Sequence, residues 1–276
     1  MKRRTIASEF VVEGIGLHRG KKNILIVKPY SGKGIIFSDS VSGKKIVADL
    51  SSVVSFNRCT VIGCDGFEVS TIEHLLSCFF AFNIDDVEIE ISGDEVPAFD
   101  GSSLPLCNII KKIKIIEKDE DADVITIDEP FLYISGDSFY RIEKDNGFKV
   151  DCSFENSNPL VGLQNFIWSF DTDSYISDIA PARTFAFEQD LEYLKKNNLA
   201  LGGSLENAVV IGRERILNEG GLRFKDEFVR HKILDLLGDL KLIGMRLDGI
   251  KITAKRPCHK SNISLARIIK ARSIYE

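Results

Sequence analysis

Two decapeptides, NIDDVEIEIS at residues 83–92 and RLDGIKITAK at residues 246–255, share one pattern, an acidic turn followed by a short strand. Each follows a run of apolar residues at helical spacing, at 72–82, where Thr71 is the predicted N-cap, and at 228–243. Strict alternation of apolar and polar residues over 87–91 indicates a half-buried strand. One helix–turn–strand unit therefore occurs in each half of the chain, which predicts a duplicated α+β fold.

The other segments fit two similar domains, each a small sheet packed with helices. Further strands are predicted at 10–18, 23–29, 124–127, 139–142, 148–154, 166–170 and 250–254, and a further helix at 104–115. The charged run at 117–123 contains almost no apolar residue, which is typical of an interdomain linker. We therefore predict a first domain over 1–117, a linker over 118–123 and a second domain over 124–276.

Composition excludes several functional classes. Of 276 residues, 44% are hydrophobic and 28% charged, the profile of a soluble globular protein. The 36 basic and 41 acidic side chains leave a net charge of -5, which argues against nucleic-acid binding. The N-terminal lysine and arginines are not followed by an apolar segment, and no run approaches the roughly 20 apolar residues of a membrane helix. Six cysteines without a CxxC pair indicate reduced thiols, so we expect a cytoplasmic protein without a stable membrane anchor.

Four histidines are the scarcest informative residues, and one lies in the stretch FVRHKILDLLGDL at 228–240. Residues four apart share a helix face, so His231, Asp235 and Asp239 form a polar column. An imidazole and a carboxylate one turn apart can chelate a divalent ion. An exposed helix face with a weak His–Asp pair explains the same pattern equally well.

A second histidine lies beside a glutamate at the start of the first-half helix. His74 is a candidate third ligand, and Glu73 can take a proton from a water at the metal. Two histidines, one carboxylate and a water form the open tetrahedral site of a catalytic zinc. Local sequence alone favours another interpretation, in which Glu73 forms a capping box with Ser70.

The last two histidines lie in predicted loops. His259, in PCHKSN at 257–262, can act as a general acid or as a base paired with Asp239, although a lone loop histidine is more often a surface residue. His18 lies in GIGLHRG at 14–20, whose glycines can cradle a phosphate. A glycine hairpin turn is the commoner reason for such a sequence.

Taken together, these segments resemble the UDP-3-O-acyl-N-acetylglucosamine deacetylases, zinc amidases of lipid A biosynthesis. All four histidines fall on motif positions of that family. The longest similar stretch, at 217–240, is chemically unusual enough to make chance similarity very improbable. The similar stretches are GIGLHRG at 14–20, STIEHLL at 70–76, DEVPAFDGSSLP at 94–105, ARTFAFEQDLEYL at 182–194, LALGGSLENAVV at 199–210 and LNEGGLRFKDEFVRHKILDLLGDL at 217–240.

The resemblance implies a site in the cleft between the two domains and a metal, zinc or in vivo iron(II). It implies that His74, His231 and Asp235 are the ligands. Its substrate would be a small molecule, an acylated UDP-sugar that loses its N-acetyl group, and we expect a monomer working in the cytoplasm near the inner membrane. The resemblance further implies that Glu73 is the general base, that His259 is the general acid and that Asp239 orients His259. Lys232 and Thr184 would polarise the substrate carbonyl or stabilise the oxyanion. Phe185 and His18 would contact the substrate at the margin of the site.

Residues 183–212 resemble the inserted element of the family's second domain, which forms an apolar passage for the acyl chain. Simple packing against the domain core is the alternative interpretation of its apolar side chains. The candidates for the wall of such a passage are Phe185, Phe187, Leu191, Leu194, Leu199 and Leu201.

The chain departs from the family pattern at three positions. The family has Gly-His-x-Leu-Asn where this chain has Cys258 before the histidine and Ser261 two residues after it, and Ala186 replaces a glycine. Two histidines, Asp235 and water already fill a four-coordinate site. We therefore predict that Cys258 is not a metal ligand.

Two other functions fit parts of the pattern. An iron(II) oxygenase also uses two histidines and a carboxylate, although such enzymes usually take their ligands from strands of a β-barrel. A carrier of nucleotide sugars or lipids could share the fold without catalysis. The carrier is disfavoured because it has no need of the proton-transfer residues Glu73, Asp239 and His259 or of Lys232 beside them.

Overall fold

A computed structural model describes residues 1–273 of the chain. Its first half contains β1 (Lys2–Ile6), β2 (Phe10–Ile15), β3 (Lys22–Pro29), β4 (Ile35–Asp39), β5 (Lys45–Val47), β6 (Val53–Ser55), β7 (Val61–Cys64), β8 (Phe67–Val69), α1 (Glu73–Ala81), β9 (Val87–Ser92), α2 (Leu104–Ile110) and β10 (Ile115–Asp121).

The second half contains a similar series with an additional segment between its last hairpin and its long helix. Its elements are β11 (Val124–Ile125), β12 (Phe131–Ser135), β13 (Ser138–Lys144), β14 (Phe148–Asn156), β15 (Gly162–Ser169), α3 (Thr172–Ser174), a π-helical turn (Tyr175–Ile179), β16 (Phe185–Phe187), a 3₁₀ turn (Glu188–Asp190), α4 (Leu191–Lys196), β17 (Val209–Ile211), α5 (Glu227–Lys241), β18 (Arg246–Leu247), β19 (Ile250–Lys255) and α6 (His259–Ser273).

The duplication predicted from the two decapeptides appears as two five-stranded sheets of the same topology. Their strand orders are β2-β3-β9-β4-β5 and β12-β13-β19-β14-β15. In each sheet the central strand, β9 or β19, pairs antiparallel with one neighbour and parallel with the other. The strand at the centre is in both cases the one that follows the predicted helix and turn, so the fold is α+β with two similar halves.

The two long central helices join the halves. Helix α1 packs on α5, and α5 in turn packs on α6 and on strands β14 and β15. Buried side chains from both halves, among them Leu25, Leu76, Leu236 and Ile252, belong to one continuous hydrophobic core. The functional side chains described below project from these central helices, so their positions depend on the packing of one half against the other.

Helix α2 ends at Ile110, five residues before the predicted helix end, and the predicted linker is also structured. Residues up to Asp121 belong to β10, which pairs antiparallel with the N-terminal strand β1. Residues 118–121 of the predicted linker are thus ordered in a strand. The charged side chains of β10 are mostly exposed in this two-stranded sheet, which needs few apolar residues. The position of the domain boundary stays a prediction.

Among residues 1–273, no helix is both long and apolar enough to cross a membrane.

Candidate active site

The first-half contribution comes from the start of α1. Its N-cap residue is Ile72, without a capping side chain, and Glu73 is the first helical residue. The capping-box interpretation of Glu73 is therefore wrong. Thr71, expected as the cap, has a left-handed φ of 58°, and its hydroxyl donates to the Glu95 carboxylate at 2.9 Å. Glu73 is thus free of a capping role, and its carboxylate reaches the neighbouring half.

The second-half contribution is the polar column of α5. His231, Asp235 and Asp239 are all buried, so the exposed-face interpretation is wrong. Gly238 allows this arrangement because a Cβ there would lie 2.1 Å from the carbonyl oxygen of Glu73. Only a glycine permits so close an approach, which brings the start of α1 against the middle of α5.

Three side chains from the two helices converge on a possible metal position. One donor atom each from His74, His231 and Asp235 lies within 4.8 Å of the others. Asp235 Oδ1 is 3.3 Å from His231 Nε2 and 4.0 Å from His74 Nε2. The Nδ1–H of His231 can donate to the Ala182 carbonyl at 3.0 Å, which leaves Nε2 unprotonated toward the other donors. The donor set therefore fits a divalent metal with two imidazoles and one carboxylate.

Protonation states in this cluster also suit a cation. Burial lowers the pKa of His74 to about 3 and lowers the pKa of His231, so both imidazoles are neutral near pH 7. Burial alone raises the pKa of Asp235, but His231 and Lys232 outweigh it and hold that pKa well below its usual range. Neutral imidazoles and an ionised carboxylate are the forms that bind metals.

His259 does not lie in a loop, as the sequence suggested, but is the first residue of α6. Its Nδ1 is 3.0 Å from Asp239 Oδ2, and its Nε2 is 3.8 Å from Glu73 Oε1. Burial lowers the pKa of His259, but the carboxylates of Asp239, Asp235 and Glu73 outweigh it and raise the pKa to about 10. The surface-residue interpretation is therefore wrong, and the side chain is a proton donor beside a carboxylate.

Burial raises the pKa of Glu73 to about 8, although the neighbouring His259 counteracts this effect. A carboxyl group whose pKa lies close to neutrality can exchange protons efficiently at neutral pH. Glu73 and His259 approach from opposite halves of the protein, since one begins α1 and the other begins α6.

The remaining predicted residues adjoin the same cavity of about 540 Å³. Asp239 is the one exception, because it is fully buried behind His259. Lys232 Nζ donates to Asp235 Oδ2 at 2.8 Å and lies 5.3 Å from the ring centroid of Phe185. The predicted residues that line the cavity are His18, Glu73, His74, Thr184, Phe185, His231, Lys232, Asp235 and His259.

The glycine turn that contains His18 is not arranged to bind a phosphate. The N–H groups of His18 and Arg19 already donate to the Glu95 carboxylate, at 2.7 and 2.8 Å. The turn also contacts the second half, because Leu201 N–H donates to the His18 carbonyl at 3.0 Å. His18 therefore lies where the glycine turn meets residues 199–203, at the margin of the cavity.

A second, apolar cavity of about 250 Å³ adjoins the first and shares His18, Thr184 and Phe185 with it. Most of its wall comes from residues 183–212, which form β16, α4 and β17, and β16 pairs parallel with β17. Of the six predicted wall residues, Phe185, Leu191 and Leu194 line this cavity, and Phe187 lines the larger one. Leu199 and Leu201 line neither, and Leu201 is 51% exposed.

Sequence reasoning missed residues that hold the site together. Thr60 is fully buried and hydrogen bonds to Asp239 and Glu73, and Asn262 Nδ2 donates to Asp239 Oδ2 at 2.8 Å. A buried ion pair between Arg183 and Glu227, at 2.8 Å, anchors the segment whose Ala182 carbonyl faces His231. The only sequence signal for Thr60 was a polar residue in the apolar run at 59–62, too common a pattern to indicate function.

The sequence of this chain is similar to those of known proteins over nearly its whole length. The family profile of UDP-3-O-acyl N-acetylglycosamine deacetylase, LpxC, matches residues 3–271. This chain belongs to that family. Three curated relatives are each named UDP-3-O-acyl-N-acetylglucosamine deacetylase, and that of Campylobacter lari is 42% identical over all of this chain and 94% of its own length. That of Campylobacter hominis is 41% identical over 98% and 92%, and that of Wolinella succinogenes is 38% identical over 100% and 93%.

The LpxC match confirms the resemblance seen in the sequence motifs, because it spans nearly the whole chain and both halves of the fold. Members of this family are metalloenzymes, and the cluster of His74, His231 and Asp235 supplies a donor set for a metal. Family membership therefore favours a deacetylase over the two alternatives, an iron(II) oxygenase and a non-catalytic carrier.

Proposed function

We propose that this chain removes the N-acetyl group from UDP-3-O-acyl-N-acetylglucosamine, giving UDP-3-O-acyl-glucosamine and acetate, in lipid A biosynthesis. The observation that carries the proposal is the meeting of three elements at one cavity. These are a metal-ligand set, a carboxyl group and a protonated histidine, contributed by α1, α5 and α6. Amide hydrolysis needs each of them, because water must be activated, charge stabilised and the amine protonated.

We propose zinc as the metal, held by His74, His231 and Asp235. Iron(II) accepts the same ligands, so both metals belong in the test below. When bound, the metal supplies Lewis-acid polarisation of the carbonyl and lowers the pKa of water. The Ala182 carbonyl and Lys232 hold His231 and Asp235 in place through hydrogen bonds of 3.0 and 2.8 Å.

Proton transfer is assigned to Glu73 and His259. Glu73 takes a proton from the water while the water oxygen forms a bond to the carbonyl carbon of the acetyl group. His259, kept protonated by three nearby carboxylates, gives a proton to the amine nitrogen as the C–N bond breaks. Asp239 orients His259 through the 3.0 Å contact to Nδ1, which leaves Nε2 on the side of Glu73 and the cavity.

Lys232 and Thr184 are assigned to the carbonyl oxygen of the acetyl group. The pKa of Lys232 is raised because the attraction of Asp235 outweighs its burial, so its ammonium group stays charged beside the position where negative charge develops. Thr184 lines both cavities, and its backbone is pinned by a bond of 2.8 Å from its N–H to the Gly101 carbonyl.

The apolar cavity is assigned to the 3-O-acyl chain. It opens beside Phe185 and His18, which also line the polar cavity, so one substrate can extend from one cavity into the other. Leu191 and Leu194 of α4 and Val210 of β17 give this cavity the aliphatic lining that an acyl chain requires. Phe185 and His18 then contact the substrate where its acyl chain leaves the sugar.

Acetate release from UDP-N-acetylglucosamine esterified at the 3-position with chains of different lengths tests this function. The protein is assayed with zinc and with iron(II), beside Glu73→Gln as the matched variant. We expect acetate release that depends on chain length, and a loss of about 10²- to 10⁴-fold in kcat for Glu73→Gln with metal retained. Absence of acetate release from the metal-replete protein would contradict the proposal and favour a carrier, and oxygen uptake would favour the oxygenase.

A monomeric state and a cytoplasmic location near the inner membrane stay predictions. Sedimentation of the purified protein and fractionation of cells test them directly.

A further inference from the structure

Thr60 lies between the two proton-transfer groups assigned above, yet it does not line the cavity that they face. It directly precedes β7 in the first half and is fully buried. Its hydroxyl donates to Asp239 Oδ1 at 2.5 Å, across 179 positions of sequence and from one half to the other. Its backbone N–H donates to Glu73 Oε2 at 3.1 Å. One residue therefore holds a carboxylate on each side of the candidate reaction centre.

The hydrogen bonds around Asp239 show what the hydroxyl contributes. Asp239 Oδ2 accepts from Asn262 Nδ2 at 2.8 Å and lies 3.0 Å from His259 Nδ1. Asp239 Oδ1 accepts from Thr60. With both oxygens occupied, the carboxylate plane cannot rotate without breaking a buried hydrogen bond, and the face it offers His259 is fixed.

The partners of Asn262 complete this arrangement. Its Oδ1 accepts from the Tyr140 hydroxyl at 2.6 Å, which orients the amide so that Nδ2 points to Asp239. Tyr140 and Asn262 both belong to the second half, as do Asp239 and His259. Thr60 is therefore the first-half residue in the set that holds Asp239.

The same residue restrains Glu73. Because Oε2 of Glu73 accepts from the Thr60 N–H, the other oxygen, Oε1, is directed to His259 Nε2, at 3.8 Å. That distance exceeds a direct hydrogen bond and leaves both atoms available to a substrate or water. Displacement of Thr60 would shift the base and the acid at once.

We propose that Thr60 is a positioning residue that couples Glu73 and His259. Its N–H binds Glu73, and its hydroxyl donates to Asp239 and lies 3.4 Å from His259 Nδ1. The inference rests on the proton-transfer roles assigned under the proposed function. Thr60 does not touch the cavity, so the loss of its hydroxyl acts on the geometry of proton transfer and leaves substrate binding intact. Small displacements of this kind lower catalytic rates strongly without any contact to the substrate.

The test compares Thr60→Val, which is similar in shape and lacks the hydroxyl, with Thr60→Ser, which keeps it. We expect Thr60→Val to lower kcat for acetate release by about 10- to 100-fold, the usual effect of removing a supporting hydrogen bond, with unchanged KM and metal content. Thr60→Ser is expected to restore most of kcat. Thr5→Val is the matched control, because Thr5 is also buried but lies in β1.

The inference would be overturned if Thr60→Val had the kcat of the unsubstituted protein, or if Thr60→Ser lost as much kcat as Thr60→Val. If Thr60→Val fails to fold, Thr60→Ala is compared with Thr60→Ser, which keeps the hydroxyl. Equal kcat values in these two variants would overturn the inference. Failure of the proposed function has a different signature, because the unsubstituted protein would then release no acetate.

Discussion

The turns that follow α1 and α5 occupy matching places in the two copies of one unit, but their aspartates have different surroundings. Asp86, after α1, is fully buried and accepts from Arg3, the Gly34 N–H and Lys118. The position that matches Asp86 after α5 is Gly249, and the aspartate of that turn, Asp248, is half-buried and accepts from the Gly249 N–H. The duplication therefore preserves the path of the backbone but not the burial of its side chains.

The difference arises because the first turn faces the other half of the protein. Arg246, at the start of the second turn, donates to Asp85 Oδ2 at 2.6 Å, and Lys241 from the end of α5 is 3.6 Å from Asp85 Oδ1. All three side chains are buried. The copies thus differ where they contact each other, in the turns as in the active site.

The central helices show the same asymmetry. Helix α1 has nine residues, all buried, and contributes Glu73 and His74 from its first turn. Helix α5 has 15 residues and contributes a column of three polar side chains. The proposed ligand set contains members from both helices, so we expect neither half to bind a metal by itself.

Removal of one ligand from either half is the strongest way to test that conclusion. We expect His74→Ala and His231→Ala each to lose bound metal and, with it, acetate release, because two remaining donors do not hold a catalytic metal as three do. Elemental analysis after dialysis measures the metal. His18→Ala serves as the matched control and should retain it. Full metal content in either ligand variant would show that one half suffices.

Loss of the buried ion pair between Arg246 and Asp85 should lower the free energy of unfolding strongly. Arg246→Ala leaves Asp85 in a buried position without its closest cation, which costs about 3–5 kcal/mol in free energy of unfolding. Denaturant unfolding measures the change. Arg141→Ala is the control, because the side chain of Arg141 is 54% exposed and the expected change is within about 0.5 kcal/mol. Similar losses in the two variants would remove the distinction between the buried turn and the surface.

Acid should destabilise the protein through the buried aspartate of the first turn. Burial raises the pKa of Asp86, but hydrogen bonds from Arg3, Gly34 and Lys118 outweigh it, so the folded pKa lies below its ordinary value of about 4. A depressed pKa gives stability that is complete above the unfolded pKa and is lost as pH falls through the folded one. Asp86→Asn should therefore flatten the loss of stability at acid pH, measured by urea unfolding.

Asp248→Asn, in the turn of the other half, is the control for the acid experiment. An equally flattened curve in both variants would contradict a special role for the buried turn.

Cys258 should give the smallest effect. Its Sγ is 3.2 Å from the Ser261 hydroxyl and belongs to no cluster of possible metal ligands among residues 1–273. Cys258→Ala is expected to leave the metal content at about one ion per chain, because three ligands and water fill a tetrahedral site. Loss of metal in this variant, measured by elemental analysis, would make the thiol a ligand after all.

Local pattern was sufficient for the elements with strong periodicity. The alternation at 87–91 lies in β9, and the helices predicted at 72–82 and 228–243 match α1 and α5 within two residues at each end. Local pattern was insufficient where one motif fits two conformations. Thr71 resembles a helix cap but has a left-handed backbone, and the charged run predicted as a linker is ordered as far as Asp121 in β10, which pairs with β1.

The sequence by itself determined the duplicated α+β architecture, the two central helices and, through the motif resemblance, the set of candidate ligands. These properties depend on the spacing of apolar and polar residues or on long motifs that resemble those of the family, and both are local in the chain. The tertiary structure alone decided that Thr60 connects Glu73 to Asp239, that Glu95 fills the glycine turn and that Arg246 binds Asp85. Each of these contacts joins residues of different elements, and two of them, Thr60 with Asp239 and Arg246 with Asp85, form only when the halves pack together.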